Sequence, residues 1–287
     1  DIQDVGARFY TYNSTMGYAM QSAAEQGIPF MVLDRPNPLG GNSQEGFVLE
    51  PGFETFVGLY PIPVSHGFTV GELARMIKGE GWLEGLEELD LQVIEMKNWS
   101  RDMLWPETGL EWIPPSPNIP TFDIALIYPG ACFFERTTAS EGRGTMQPFQ
   151  QLGAPWIDSE QLAEELNSRK LSGLDFEAIS FTPRSIEGMD ADPDWEGEEV
   201  HGIKYVITDP DQVEPVAAGV HVLQAFYYMS MEQGEDDFLS ESVRSLAGTD
   251  RLYDMISKGF APSEIIASWS EELAQFEKQR QPYLLYD

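Results

Sequence analysis

Residues 13–33 place a helix pattern and a strand pattern end to end, with almost nothing between them. Residues 13–27 carry apolar side chains at helical spacing, with Asn13 or Ser14 as the cap and Gly27 as the stop. Pro29 to Leu33 then reads as a short buried strand. It runs into Asp34-Arg35-Pro36-Asn37-Pro38, a polar loop stiffened by two prolines. A helix that feeds a strand ending in a polar loop is the repeating unit of a parallel sheet covered by helices. Such sheets hold their ligands at the carboxyl ends of the strands.

The same grammar continues. Residues 69–79 form a second helix, opened by a Thr69–Glu72 capping box. Residues 91–96 and 124–128 read as further strands, the second ending at Pro129-Gly130. Asp1 to Asp4 reads as the tail of a strand, so the loops after residues 4, 33 and 128 are expected to converge on one cleft. Past Trp156 the pattern changes. It reads as a helix at 159–168, an alternating strand at 175–181, an acidic loop at 187–199 and a strand at 202–208. Two helices follow, at 213–232 and 263–278. The expected division is a mostly parallel α/β domain over 1–156 and a smaller α+β domain over 157–287.

Charge narrows the partners. The 287 residues include 48 acidic and 17 basic ones, a formal charge of −31, which repels phosphate backbones and argues against nucleic acid. The single cysteine, Cys132, excludes an internal disulfide and a multi-cysteine zinc site. It lies in an apolar run and reads as a small buried hydrophobe. No apolar stretch is long enough for a membrane span. HExxH, GxGxxG, GxxxxGK[ST] and GxSxG are all absent, so zinc, nucleotide and serine-hydrolase motifs find no support and no cofactor is expected.

Ser140 to Thr145, SEGRGT, is the most chemical segment. It packs a carboxylate, a guanidinium and two glycines into one turn, after what reads as a hydrophobic strand. Glycine permits positive φ and close approach, and arginine offers a planar fork of donors. Two readings stand: a binding loop, or a tight turn held by an internal Glu141–Arg143 pair.

Six ordered blocks support a family resemblance: DIQDVGARFYTY (1–12), DRPNPLGG (34–41), FVGLYPIPVSHGFTVGELA (56–74), PPSPNIPT (114–121), SEGRGT (140–145) and GAPW (153–156). The terminal RQPYLLYD (280–287) agrees with them. Together they resemble the DUF1343 family, whose characterised members are NamZ-type exo-β-N-acetylmuramidases of bacterial cell-wall recycling. The resemblance implies a Rossmann-like N-terminal domain, a smaller C-terminal domain and an active site in the cleft between them. It implies metal-free hydrolysis of terminal β-linked N-acetylmuramic acid from peptidoglycan fragments, in a secreted or periplasmic setting. Family members carry a further segment before the DIQDVG block, with a Pro-Glu-His-Gly-like motif whose glutamate is a catalytic candidate. That segment is not in this sequence, and the chain on its own is expected to be inactive or poorly stable. Arg136 and Thr138 stand where the family has glycine and asparagine.

Glycoside hydrolysis generally needs an acid for the leaving oxygen and a second carboxylate as base or nucleophile. Glu141 is the first catalytic candidate and Glu45 the second. His66, just before a helix, is a candidate proton shuttle or donor. Asp4 and Asp34, at strand ends, are candidate sugar-facing carboxylates. The substrate's lactyl carboxylate calls for a cation, and Arg8, Arg35 and Arg143 are the arginines in matching motifs. Tyr10 and Tyr12 could stack on the sugar. Asn37 lies in the matching proline loop, and Asn118 could bind the N-acetyl group. Each has a structural alternative: ion pair, core packing or turn formation. Two other functions stay open, a non-catalytic binding protein for muropeptides or related acidic sugars, and an esterase-like hydrolase on the same scaffold.

Overall fold

The computed structural model describes all 287 residues. The chain forms two compact units: residues 1–111 together with 269–287, and residues 112–268.

In the first unit, helix α1 (Tyr12–Glu25) leads to strand β1 (Phe30–Leu33), which pairs in parallel with β2 (Leu91–Ile94) in the register Phe30↔Leu91 to Leu33↔Ile94. Helix α2 (Val70–Gly79) lies between them in sequence. Its N-terminus carries the expected capping box: the Thr69 hydroxyl accepts the Glu72 N–H, and the Glu72 carboxylate accepts the Thr69 N–H. Strand β1 buries only Val32, while Met31 and Leu33 on its other face are exposed, so it is less enclosed than its apolar run suggests. Met16 and Met20 of α1, Leu73 and Ile77 of α2, and Phe276 of the helix Ser270–Arg280 share one apolar core with Val32.

The C-terminal residues belong to this same unit. The Leu285 N–H bonds Glu72, Tyr286 Oη donates to Asp34, and Arg280 donates to the carbonyls of Gly41 and Gly67. Asp1 to Asp4 form no strand ladder; the first pairing nearby is a single bridge from Ala7 to Ser65.

The second unit opens with α3 (Phe122–Ala131). The strand expected at 124–128 is therefore a helix. A short apolar run does not reveal its own period, and what decides it here is the Thr121 hydroxyl, which accepts the Ile124 N–H, together with burial on every side. Tyr128 lies inside this helix, so it cannot end a parallel strand, and the SEGRGT loop follows helical turns rather than a strand.

Strand β3 (Gln151–Ala154), helix α4 (Ser159–Ser168), strands β4 (Leu174–Phe181) and β5 (Val200–Ile207) and helix α5 (Pro215–Glu232) complete the framework. The sheet order is β3-β5-β4, all antiparallel. Helix α5 packs on α3 where Gly130 meets Gly219. A Cβ on Gly130 would lie 2.0 Å from the Pro215 carbonyl oxygen, and one on Gly219 would lie 2.4 Å from the Gly130 Cα.

The division expected at residue 156 is corrected to 111/112 and 268/269. Strand β3, before residue 156, pairs with β5 well after it, which ties both sides into one sheet. The helix expected over 263–278 is broken into Pro262–Ala267 and Ser270–Arg280. Trp269 stands at the break, buried edge-to-face on Phe47 at 5.2 Å. The chain crosses there from the second unit to the first. The second unit is the longer of the two in this chain.

Candidate functional site

In the second unit the site grows from the turn between Cys132–Arg136, a short helical turn at the end of α3, and β3. Ser140 pairs with Gly153, and Phe149 N–H donates to the Glu141 carbonyl at 2.6 Å, which folds 140–149 back on itself. The two glycines of the loop serve this fold. Gly142 has φ 79° and Gly144 φ 74°. A side chain on Gly142 would strike the Gln151 carbonyl oxygen at 2.5 Å, and one on Gly144 would strike Pro193 at 2.6 Å. The close approach is thus to the protein's own backbone and to the acidic loop at 187–199.

Glu141 is buried, with 6% of its surface exposed. Burial pushes its carboxyl up to about 7; Arg143 opposes that shift, and Glu135 and Asp194 add to it. Arg143 does not neutralise Glu141 by a hydrogen bond. Its Nε lies 3.4 Å from Glu141 Oε1 and makes no hydrogen bond, so this is a charge contact. The firm partner of Arg143 is Glu135, at 2.5 Å from Nη2. The guanidinium also lies over the Phe149 ring at 5.2 Å, and about a third of the side chain stays open to solvent. The turn reading is partly met: Arg143 lies in charge contact with Glu141, but its hydrogen-bonded partner is Glu135. Asn118 joins the same neighbourhood through its Nδ2, which donates to the Met189 carbonyl of the acidic loop at 3.1 Å; its Oδ1 is buried without a partner. Cys132 and Tyr128 are buried beside the loop, and burial pushes the thiol and the phenol well above their ordinary ionisation range, so Cys132 offers no thiolate.

In the first unit the backbone draws three predicted residues together. His66 N–H donates to the Gly6 carbonyl, and Ser65 exchanges backbone bonds with Glu45. His66 Nδ1 accepts the Phe68 N–H, which leaves Nε2 to donate to Asp4 Oδ2 at 3.1 Å. Asp4 Oδ2 also accepts the Gly6 N–H, while its Oδ1 is buried with no partner. Tyr10 and Tyr12 meet edge-to-face at 5.0 Å, and burial, Tyr12 and the Asp4 charge raise the Tyr10 phenol.

The other predicted residues serve the scaffold. Arg8 is fully buried and donates to the carbonyls of Phe47 and Ile62, so it is not presented to a ligand; burial lowers its pKa to about 9. Asn37 spends its side chain on Leu39 N–H and the Phe68 carbonyl. Asp34 accepts from Thr69, Gly71, Arg35 and Tyr286, though burial holds its carboxyl above the usual range. Arg35 bonds Gln3 and faces Asp1 at 3.6 Å. Sequence reasoning missed Glu135, Asp194 and Trp195. Glu135 stood within the block before SEGRGT, but nothing local marked it as the partner of Arg143. No group of three or more His, Cys, Asp or Glu is placed to hold a metal ion, and no helix is long and apolar enough to cross a membrane.

Parallel strands with helices in one unit, and an antiparallel sheet carrying a buried acid on a double-glycine loop in the other, define a two-domain α/β protein of the DUF1343 type. The chain belongs to the NamZ family: residues 1–123 match the family model described as "Exo-beta-N-acetylmuramidase NamZ, N-terminal" and residues 126–286 its C-terminal counterpart. It is 46% identical over 287 residues to the peptidoglycan β-N-acetylmuramidase NamZ of Bacillus subtilis (strain 168). The match takes in all of this chain and 66% of that relative's length. Two solved DUF1343 family proteins of Bacteroides fragilis NCTC 9343 superpose with TM-scores of 0.90 and 0.80, at 34% and 36% identity. Each comparison covers 100% of this chain and 74% of the other.

Proposed function

We propose that this chain takes part in hydrolysis of the glycosidic bond of a terminal β-linked N-acetylmuramic acid in peptidoglycan fragments, with Glu141 as the acid. The observation that carries the reading is the Glu141 carboxyl, buried and raised to about 7 beside a cation that is bonded elsewhere. A carboxyl protonated near neutrality is what a leaving glycosidic oxygen needs. The proton passes from Glu141 to that oxygen, the carbon–oxygen bond breaks, and water adds its hydroxyl to the sugar while its remaining proton passes, directly or through solvent, back to the Glu141 carboxylate. Arg143, with part of its fork open, offers a charged edge to the lactyl carboxylate. Family membership and the Bacillus subtilis relative support the same substrate class.

The test is release of N-acetylmuramic acid from a chromogenic β-N-acetylmuramide by the protein at its full natural length, wild type against Glu141→Gln. Turnover that falls with the substitution supports the reading. Equal turnover in both returns Glu141 to a structural role.

A further inference from the structure

One residue of the acidic loop at 187–199, Trp195, is held in an uncommon backbone conformation. Trp195 has φ 61°, the left-handed region in which a bulky side chain is an outlier. Its ring is fixed twice. The indole N–H donates to the Thr138 carbonyl at 2.8 Å, and the ring meets Trp156 edge-to-face at 5.5 Å. Trp156 is itself anchored, its indole N–H donating to Ser230 Oγ at 2.9 Å. Trp195 nevertheless remains only half-buried. It lines a groove of about 590 Å³ with Thr137, Thr138, Asp192 and Asp194.

This groove adjoins the SEGRGT loop. Pro193 stands where any side chain on Gly144 would go, Arg184 N–H donates to the Gly144 carbonyl, and the Asp194 charge acts on both Arg143 and Glu141. We propose that Trp195 is the platform on which a sugar ring stacks beside Glu141, a specificity-determining residue for the reaction proposed above, on which this inference rests. An indole fixed at its N–H and at one edge, with surface to spare, suits the apolar C–H face of a pyranose. The carboxylates of Asp192 and Asp194 accept hydrogen bonds from ring hydroxyls and repel a carboxylate. The groove therefore takes the neutral, hydroxyl-rich part of the ligand, and the lactyl group points away from it.

The experiment uses two variants of the full-length protein and two probes. Trp195→Phe keeps a ring; Trp195→Gly removes it but suits the positive φ, so the loop backbone is relieved rather than strained. Binding of N-acetylmuramic acid and of N-acetylglucosamine is read by saturation-transfer NMR and calorimetry, alongside KM and kcat on the chromogenic muramide. The expected result is that Trp195→Gly weakens both sugars and raises KM by about tenfold, with kcat less affected, while Trp195→Phe retains most of the affinity. Affinity for the two sugars unchanged in Trp195→Gly overturns the platform alone and leaves the hydrolase reading standing. Equal losses in both variants with lowered melting temperatures also overturn it, in favour of a structural tryptophan. Failure of the unaltered protein to bind either sugar overturns both proposals.

Discussion

Arg143 is bonded to Glu135 at 2.5 Å and only leans toward Glu141, at 3.4 Å. The acid on the double-glycine loop therefore has a cation nearby without a hydrogen bond from it. Had the fork closed on Glu141, its carboxylate form would be favoured and its acidity would return toward the ordinary range. Burial is the main cause of the raised Glu141 carboxyl, and Glu135 adds to it through its own charge while holding the Arg143 fork.

Glu141→Gln should lower turnover by on the order of a hundred- to ten-thousand-fold, the usual contribution of a general acid. KM should change little, because the amide keeps the size and polarity of the side chain. Steady-state kinetics on the chromogenic muramide decide it, and a drop of less than threefold excludes the role.

The same residue gives a stability signature. Its carboxyl rises from an ordinary 4.5 to about 7 on folding, so the neutral form is the one the fold favours. The contribution is fully present below pH 4.5 and is lost as pH rises toward 7 and beyond. The difference in unfolding free energy between wild type and Glu141→Gln should move against wild type by up to about 3 kcal/mol from pH 4 to pH 8. Urea titrations at several pH values measure it; a difference independent of pH would show that Glu141 ionises normally.

Glu135→Gln should move the basic limb of the pH–rate profile to lower pH. The substitution removes one negative charge near Glu141 and frees Arg143 to turn toward it, and both changes favour the carboxylate. A limb that stays in place, or moves up, would show that Glu135 does not govern the acid.

His66→Ala should destabilise the first unit. It leaves Asp4 Oδ2 with one donor instead of two and the Phe68 N–H without its acceptor, both in a buried setting. The cost expected is on the order of 1–3 kcal/mol, read from a chemical denaturation midpoint. An unchanged midpoint would point to water entering the space and replacing both bonds.

Local signals were the legible ones. The Thr69–Glu72 box needs only residues three apart, and it is present as read. The helix at Phe122–Ala131 is hard to read because its run of Ile, Ala, Leu, Ile and Tyr has no polar positions to show a period; beside the Thr121 cap, its burial rests on packing against α5, almost a hundred residues on. The break at Trp269 is settled by Phe47, from the far end of the chain. At the site, Glu141 stood out because glycines flank it. Arg8 was misplaced because its motif hid its surroundings: Val5, Ala7 and Phe9 are all buried beside it, and an arginine among such neighbours is drawn into the core with them. Trp195 had no signal, since a left-handed tryptophan differs from an ordinary one only in three dimensions.

The glycine crossing of α3 and α5 has a bearing on acidity. Helix α3 runs straight into the turn that carries Glu135, and the backbones at Gly130 and Gly219 touch with no side chain between them. A single methyl group there has no free volume and must pry the helices apart. A displacement along the helix axis would reach the Glu135 carboxylate, whose hold on Arg143 contributes, beside burial, to how strongly Glu141 keeps its proton. An alanine at either glycine is therefore expected to shift the acidity of a carboxyl it never touches.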